Sequence, residues 1–132
     1  MYNSESANFF ELVGQTITNI SVGSETVTIT TNTTVYTLSH CQSCCEHVRV
    51  YETFGEPQQI VGSPIVFAEE DAGAADPEWY DGNGYHDSHT WTHYTISTKD
   101  GKTLDIWWLG ESNGYYGEDV SVYKSPLPAN NG

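Results

Sequence analysis

Apolar and polar residues alternate in short runs along most of the chain, a pattern with the period of strands. Thr26-Val27-Thr28-Ile29-Thr30 alternates strictly, and β-branched residues in that pattern suit a pleated, half-buried surface. Thr16, Thr18 and Asn19 interleave with Ile17 and Ile20 in the same way. Residues 34–38, 48–51, 64–68 and 120–123 read as further short strands. The strongest pairing signal lies near the C-terminus. Residues 90–96 and 103–109 flank Lys99-Asp100-Gly101-Lys102, and Asp-Gly between two such runs predicts a hairpin.

Three segments break the alternation. Residues 5–13 carry helix formers, with Phe9, Phe10, Leu12 and Val13 able to face a core, and predict a short N-terminal helix stopped at Gly14. Residues 57–61 predict a short helical segment within the turn from Gly55 to Gly62. From Glu69 to Ser88 Gly, Ala, Asp and Asn dominate, which predicts a long surface loop, and loops of that length often carry function. The expected fold is α+β and mainly antiparallel, with about six or seven strands in a curved sheet or open barrel and the short helix packed on it. The 132 residues are expected to form one domain over 1–125, with a flexible tail over 126–132.

Charge narrows the range of partners. The chain has 18 Asp plus Glu against 4 Lys plus Arg, a formal net charge of −14. Direct nucleic-acid binding needs cations that displace counterions from phosphates, so neither nucleic acid nor an anionic membrane is expected to bind. A basic protein partner is favoured, because opposite fields steer encounter; solubility alone is the other use of such a charge. No apolar stretch approaches the roughly 20 residues of a membrane span. The N-terminal residues lack the basic start and apolar run of a signal peptide. The expected location is the cytoplasm.

The best chemical candidate is His40-Cys41-Gln42-Ser43-Cys44-Cys45-Glu46-His47. Clustered imidazoles and thiols are the ligands zinc prefers, and Cys41 and Cys44 have C-x-x-C spacing. A structural zinc ion is expected, held by four of His40, Cys41, Cys44, Cys45 and His47. In a helical turn His40, Cys44 and His47 would share a face; in a knuckle loop Cys45 would be an equal ligand. His86, His89 or His93 would be an outside source of one ligand. Otherwise the thiols are small buried hydrophobes. Asp81-Gly82-Asn83-Gly84 begins like a calcium loop, but no Glu closes it. There is no Gly-rich phosphate loop and no G-x-S-x-G elbow, so no enzymatic activity is expected. A Cys44–His47 nucleophile pair, and with it a Cys-His hydrolase, is the enzymatic alternative. Trp107 and Trp108 are adjacent on a strand and must face opposite sides: one fills the core, and the other is exposed or covered by another layer.

Several blocks resemble a family of small acidic proteins encoded by phages and prophages. They are His40 with Cys44-Cys45-Glu46 and Val48, Leu12-Val13-Gly14, Gly62-Ser63-Pro64-Ile65 with Ala68-Glu69-Glu70, Thr90-Trp91-Thr92, and Ser112-Asn113-Gly114-Tyr115-Tyr116. The sequence departs from that pattern at Cys41 and His47, and at His89 and His93. The resemblance implies a phage origin and a mostly β fold, and brings no established activity. Small acidic proteins of that origin resemble counter-defence factors, anti-CRISPR proteins among them. The expected function is therefore a non-enzymatic inhibitor that binds a nucleic-acid-handling host defence effector, a CRISPR nuclease above all, and blocks nucleic-acid loading. Glu69, Glu70, Asp71, Trp79, Tyr80 and Asp81 are the expected contact residues. The alternative binding function is sequestration of a nucleotide signal by ring stacking.

Overall fold

The computed structural model describes residues 4–42, 45–82, 88–114 and 117–127. Among them nine strands form: β1 (Glu5–Ser6), β2 (Ile17–Val22), β3 (Thr26–Thr31), β4 (Thr34–Ser39), β5 (His47–Phe54), β6 (Ile65–Ala74), β7 (Ser88–Thr98), β8 (Thr103–Ser112) and β9 (Ser121–Pro126). They make two antiparallel sheets, β1-β9-β4-β3-β2 and β5-β8-β7-β6. This corrects the expected single curved sheet or barrel with an N-terminal helix, because no α-helix occurs among the described residues.

The N-terminal segment shows why. Glu5 and Ser6 pair with Lys124 and Tyr123 of β9, and only Phe9–Leu12 winds into a single 3-10 turn. Glu11 serves that turn twice: its carboxylate accepts from the Asn8 backbone N–H at 3.0 Å and from Lys124 Nζ at 2.8 Å. Val13 is extended, and the Gly14 N–H donates to the Ile65 carbonyl at 2.8 Å, committing the chain to the edge of β6. A four-residue turn is too short to repay helix nucleation, whereas burial of Phe9 and Leu12 holds it as it is.

The predicted hairpin forms. β7 and β8 pair from Ser88↔Ser112 to Ser97↔Thr103, around a turn in which Gly101 has φ +89°. The expected long loop begins as strand. Residues 69–74 belong to β6, since Glu69, Glu70, Asp71 and Ala72 pair with Thr95, Tyr94, His93 and Thr92. Backbone hydrogen bonding to the long partner strand outweighs the local composition there. Irregularities at Ile65/Phe67 and Ala72/Ala74 bend that edge strand, the second beside Gly73 at φ +80°.

One core lies between the sheets. Ile17, Ile20, Val27, Ile29, Tyr36 and Leu38 come from one sheet, and Val48, Tyr94, Ile96, Leu104, Ile106 and Trp108 from the other. Phe9, Leu12 and Ile60 from the two 3-10 turns close it. Each such side chain contributes roughly 1.5–3 kcal/mol on burial. Trp108 is the core tryptophan, which puts Trp107 on the opposite, outer face.

The two outer faces differ in chemistry. On the five-stranded sheet the in-register rows read Ser21, Thr28, Thr37, Tyr123 and Asn19, Thr30, Val35, Ser125. They are rich in hydroxyls and carry no charge. On the four-stranded sheet the rows read Arg49, Leu109, Trp91, Ala74; then Glu52, Trp107, His93, Asp71; then Phe54, Asp105, Thr95, Glu69.

Candidate functional site

The second of these faces gathers a continuous cluster of aromatic side chains. Strand pairing brings Trp91 of β7 within 5.8 Å of Trp107 of β8, edge to face. Tyr51 of β5 meets Trp91 edge-on at 5.3 Å. Residues 75–82, which follow β6, cross over this face. Asp76 ties them down, because its Oδ1 accepts from Trp91 Nε1 at 2.9 Å and from His89 Nε2 at 2.8 Å. The bond from His89, then that from Trp91, holds the Asp76 carboxyl below its ordinary range. Beyond Asp76, Trp79 sits on Trp91 and Trp107 at 5.6 and 5.7 Å, and Tyr80 sits on Trp91 at 5.0 Å. Burial, then the nearby Glu111 charge, raises the Tyr80 phenol above its usual range.

Part of this cluster is open to solvent. Tyr51, Phe54 and Trp79 are 42%, 44% and 41% exposed. They form one patch: Tyr51 stacks on Trp79 at 5.9 Å and 18°, and Phe54 meets Trp79 at 5.7 Å. Rings that combine apolar area with a specific geometry are strong anchors. Carboxylates surround the patch. Glu52 lies across from Trp107, Asp105 across from Phe54, Asp71 across from His93 and Glu69 across from Thr95. Arg49 is the only Lys or Arg in these rows; its Nη1 donates to Glu111 Oε1 at 2.6 Å, and its guanidinium lies 5.7 Å from the Tyr51 ring centre.

His93 stacks flat on Trp107 at 3.9 Å and 8°. It donates from Nε2 to Asp105 Oδ1 at 2.8 Å, and the Thr95 hydroxyl donates to the same oxygen at 3.0 Å. Thr95 Oγ1 also faces Nε2, at 3.3 Å. A hydroxyl–imidazole–carboxylate relay needs the two partners on different ring nitrogens. Here both are on one, so the arrangement positions Asp105 and does not activate Thr95.

Of the expected contact residues, Trp79 and Tyr80 stand on this face, and Glu69 and Asp71 stand on its rows. Glu70 points to the other side of β6, where it accepts from the Tyr94 hydroxyl at 2.6 Å. That bond, after burial, keeps the Tyr94 phenol protonated far above its usual range. Asp81 is exposed at the end of the crossing segment. Tyr51, Phe54 and His93 were not among the expected contacts. Their joint position depends on the register of β5, β7 and β8, and no local pattern encodes that.

The expected zinc site does not form among the described residues. Among the described residues no group of three or more His, Cys, Asp or Glu side chains could hold a metal ion. His40 Nδ1 donates to the Asp119 carbonyl at 2.7 Å, and Nε2 pairs with Glu46 Oε1 at 3.4 Å, so both ring nitrogens are engaged within the protein. Cys41 is an exposed free thiol, and Cys45 is disulfide-bonded rather than a thiolate. His47 is exposed on β5 across from Glu111. Cys44 and His86 lie outside the described residues, as do Asn83-Gly84 of the calcium-like stretch, Tyr115-Tyr116, and 128–132 of the tail. His89 and His93, the possible outside ligands, share a face, but each is bound to a carboxylate.

His40 and Glu46 adjoin a second polar network. Glu118 accepts from the hydroxyls of Thr90, at 2.7 Å, and Ser112. Burial alone would raise the Glu118 carboxyl, but the bonds from Ser112, Thr90 and Ser88 outweigh it and hold it below the usual range. His40, Glu46, Thr90 and Ser112 serve here as local fasteners.

The chain belongs to the family described as Domain of unknown function (DUF7448), whose model matches residues 10–122. No curated protein and no solved structure matches it. Among the described residues no helix is long and apolar enough to cross a membrane.

Proposed function

We propose that the protein is a non-enzymatic binding protein that docks the outer face of β5-β8-β7-β6 onto a basic surface of a protein that handles nucleic acid. The observation that carries this reading is the exposed patch of Tyr51, Phe54 and Trp79 set among carboxylates on the same rows. The aromatic anchors supply residence time, and the charge supplies encounter rate and choice of partner. In its specific form the reading is a phage-encoded counter-defence protein acting in the host cytoplasm. It would block nucleic-acid loading on a defence nuclease, because CRISPR effectors hold their heteroduplex in a positively charged channel. A nucleotide-sequestering function is less well supported: Arg49 is already engaged by Glu111, which leaves the rings of this face without a cation for phosphates.

The test is surface-bound protein titrated with a purified CRISPR effector at about 50 and about 300 mM NaCl, between which phosphate-like electrostatic contacts weaken steeply. Binding is expected at low salt, with an on-rate that falls as salt rises. The triple variant E52Q/E69Q/D71N should slow association further than any of its single changes. Absence of binding at low salt, or binding indifferent to salt, would remove the competitor reading.

A further inference from the structure

We infer that this docking face selects arginine over lysine in its partner, seating a guanidinium against the exposed side of Trp79 beside Phe54. The inference rests on the docking reading above and adds the chemistry of the group recognised. The face already solves the same recognition problem once within the chain. The Arg49 guanidinium lies 5.7 Å from the Tyr51 ring centre while Nη1 donates to Glu111 at 2.6 Å. One ring and one carboxylate thus hold one guanidinium.

The neighbouring exposed rings repeat those ingredients without an internal cation. Phe54 and Trp79 meet at 5.7 Å, and both are more than two-fifths exposed. Asp105 is the cross-strand partner of Phe54, and Glu52 is that of Trp107, which Trp79 covers. Asp105 Oδ1 is held by His93 and Thr95. A carboxylate offers about four lone-pair sites, so two bonds to Oδ1 orient the group without exhausting it. None of the in-register positions on the rows of Glu52 and Asp105 is Lys or Arg.

A planar guanidinium lies flat on an indole while its edge donates to carboxylates at the side, whereas an ammonium is strongly hydrated and offers no flat face. The geometry therefore favours arginine on grounds other than net charge, to which the two cations contribute equally.

Calorimetric titration of the intact chain with nona-arginine and nona-lysine at low salt tests this. Nona-arginine is expected to bind roughly tenfold more tightly than nona-lysine. In Trp79→Ala that ratio should fall toward one, with nona-lysine binding little changed. Phe54→Ala, on β5 rather than on the crossing segment, should lower the ratio in part, and it keeps the test valid if Trp79→Ala loosens that segment. Equal affinity for the two peptides would overturn the arginine inference and leave the basic-partner reading standing. An arginine preference that survives both variants would overturn the assigned position. Failure of both peptides to bind would overturn the docking reading itself.

Discussion

Gly110 is placed where a side chain has no room. It lies in β8 between Val48 and Thr90, and a Cβ built on it would come 2.2 Å from the Glu118 carbonyl oxygen and 2.8 Å from the Glu118 Cβ. The Glu118 segment cannot easily retreat, because Thr90 and Ser112 grip its carboxylate. Gly110→Ala should therefore cost about 1–3 kcal/mol, the usual range for overpacking, measured by urea unfolding. An unchanged midpoint would mean that the segment yields freely. Glu118 also gives the fold an acid sensitivity. Its folded pKa lies below the ordinary 4.5, so its contribution is fully present above that value and is lost as pH falls through the lowered one. Melting temperature should decline below about pH 4.5, and Glu118→Gln should flatten that part of the profile while lowering stability at neutral pH. A variant with an unaltered acid limb would exclude Glu118 as a source.

At the scale of elements, what was legible in the sequence was local. Asp100-Gly101 between two alternating runs specified the β7–β8 hairpin, and Thr26–Thr31 alternated as a strand with one buried face must. The N-terminal segment misled because helix-forming residues cannot reveal that Glu5 and Ser6 have a partner more than a hundred positions away in β9. Glu69–Ala74 misled for the same reason: its composition says loop, but its partner strand says β6. The candidate site was legible only in pieces. Trp79 and Tyr80 could be singled out as aromatics in a loop, but their docking on Trp91 and Tyr51 depends on inter-strand register. Asp76 ties the crossing segment down at its start by hydrogen bonds, and Trp79 and Tyr80 hold it further along by ring contacts, which gives the prediction at this scale. Asp76→Ala removes the acceptor for both Trp91 Nε1 and His89 Nε2. Residues 75–82 should then be cut sooner in limited proteolysis, and tryptophan emission should shift to the red as Trp79 and Trp91 gain water. Unchanged cleavage and emission would show that the ring contacts alone hold the segment.

For the molecule as a whole, the uneven placement of charge matters more than its total. The rows of one sheet face are uncharged and hydroxyl-rich, while the opposite face carries Glu52, Glu69, Asp71 and Asp105 on neighbouring rows. Glu69 and Asp71 stand two residues apart on one face of β6, about 7 Å along the strand, inside the Debye length of about 10 Å at 0.1 M salt. Carboxylates on these rows therefore repel one another in the folded state, a cost the fold carries even with no partner bound. A basic partner would relieve that repulsion, so the stability and binding effects of these residues should have opposite signs. The double variant E69Q/D71N should melt higher than the parent chain at about 10 mM salt, and the difference should shrink near 0.5 M, where screening removes the repulsion. The same variant should bind nona-arginine more weakly at low salt. Thr28→Gln, on the hydroxyl face, is the control and should alter neither salt dependence nor peptide affinity. If E69Q/D71N melts lower at low salt, these carboxylates support the fold rather than strain it. The acidic face would then be part of the structural framework and not a surface held in readiness for a cationic partner.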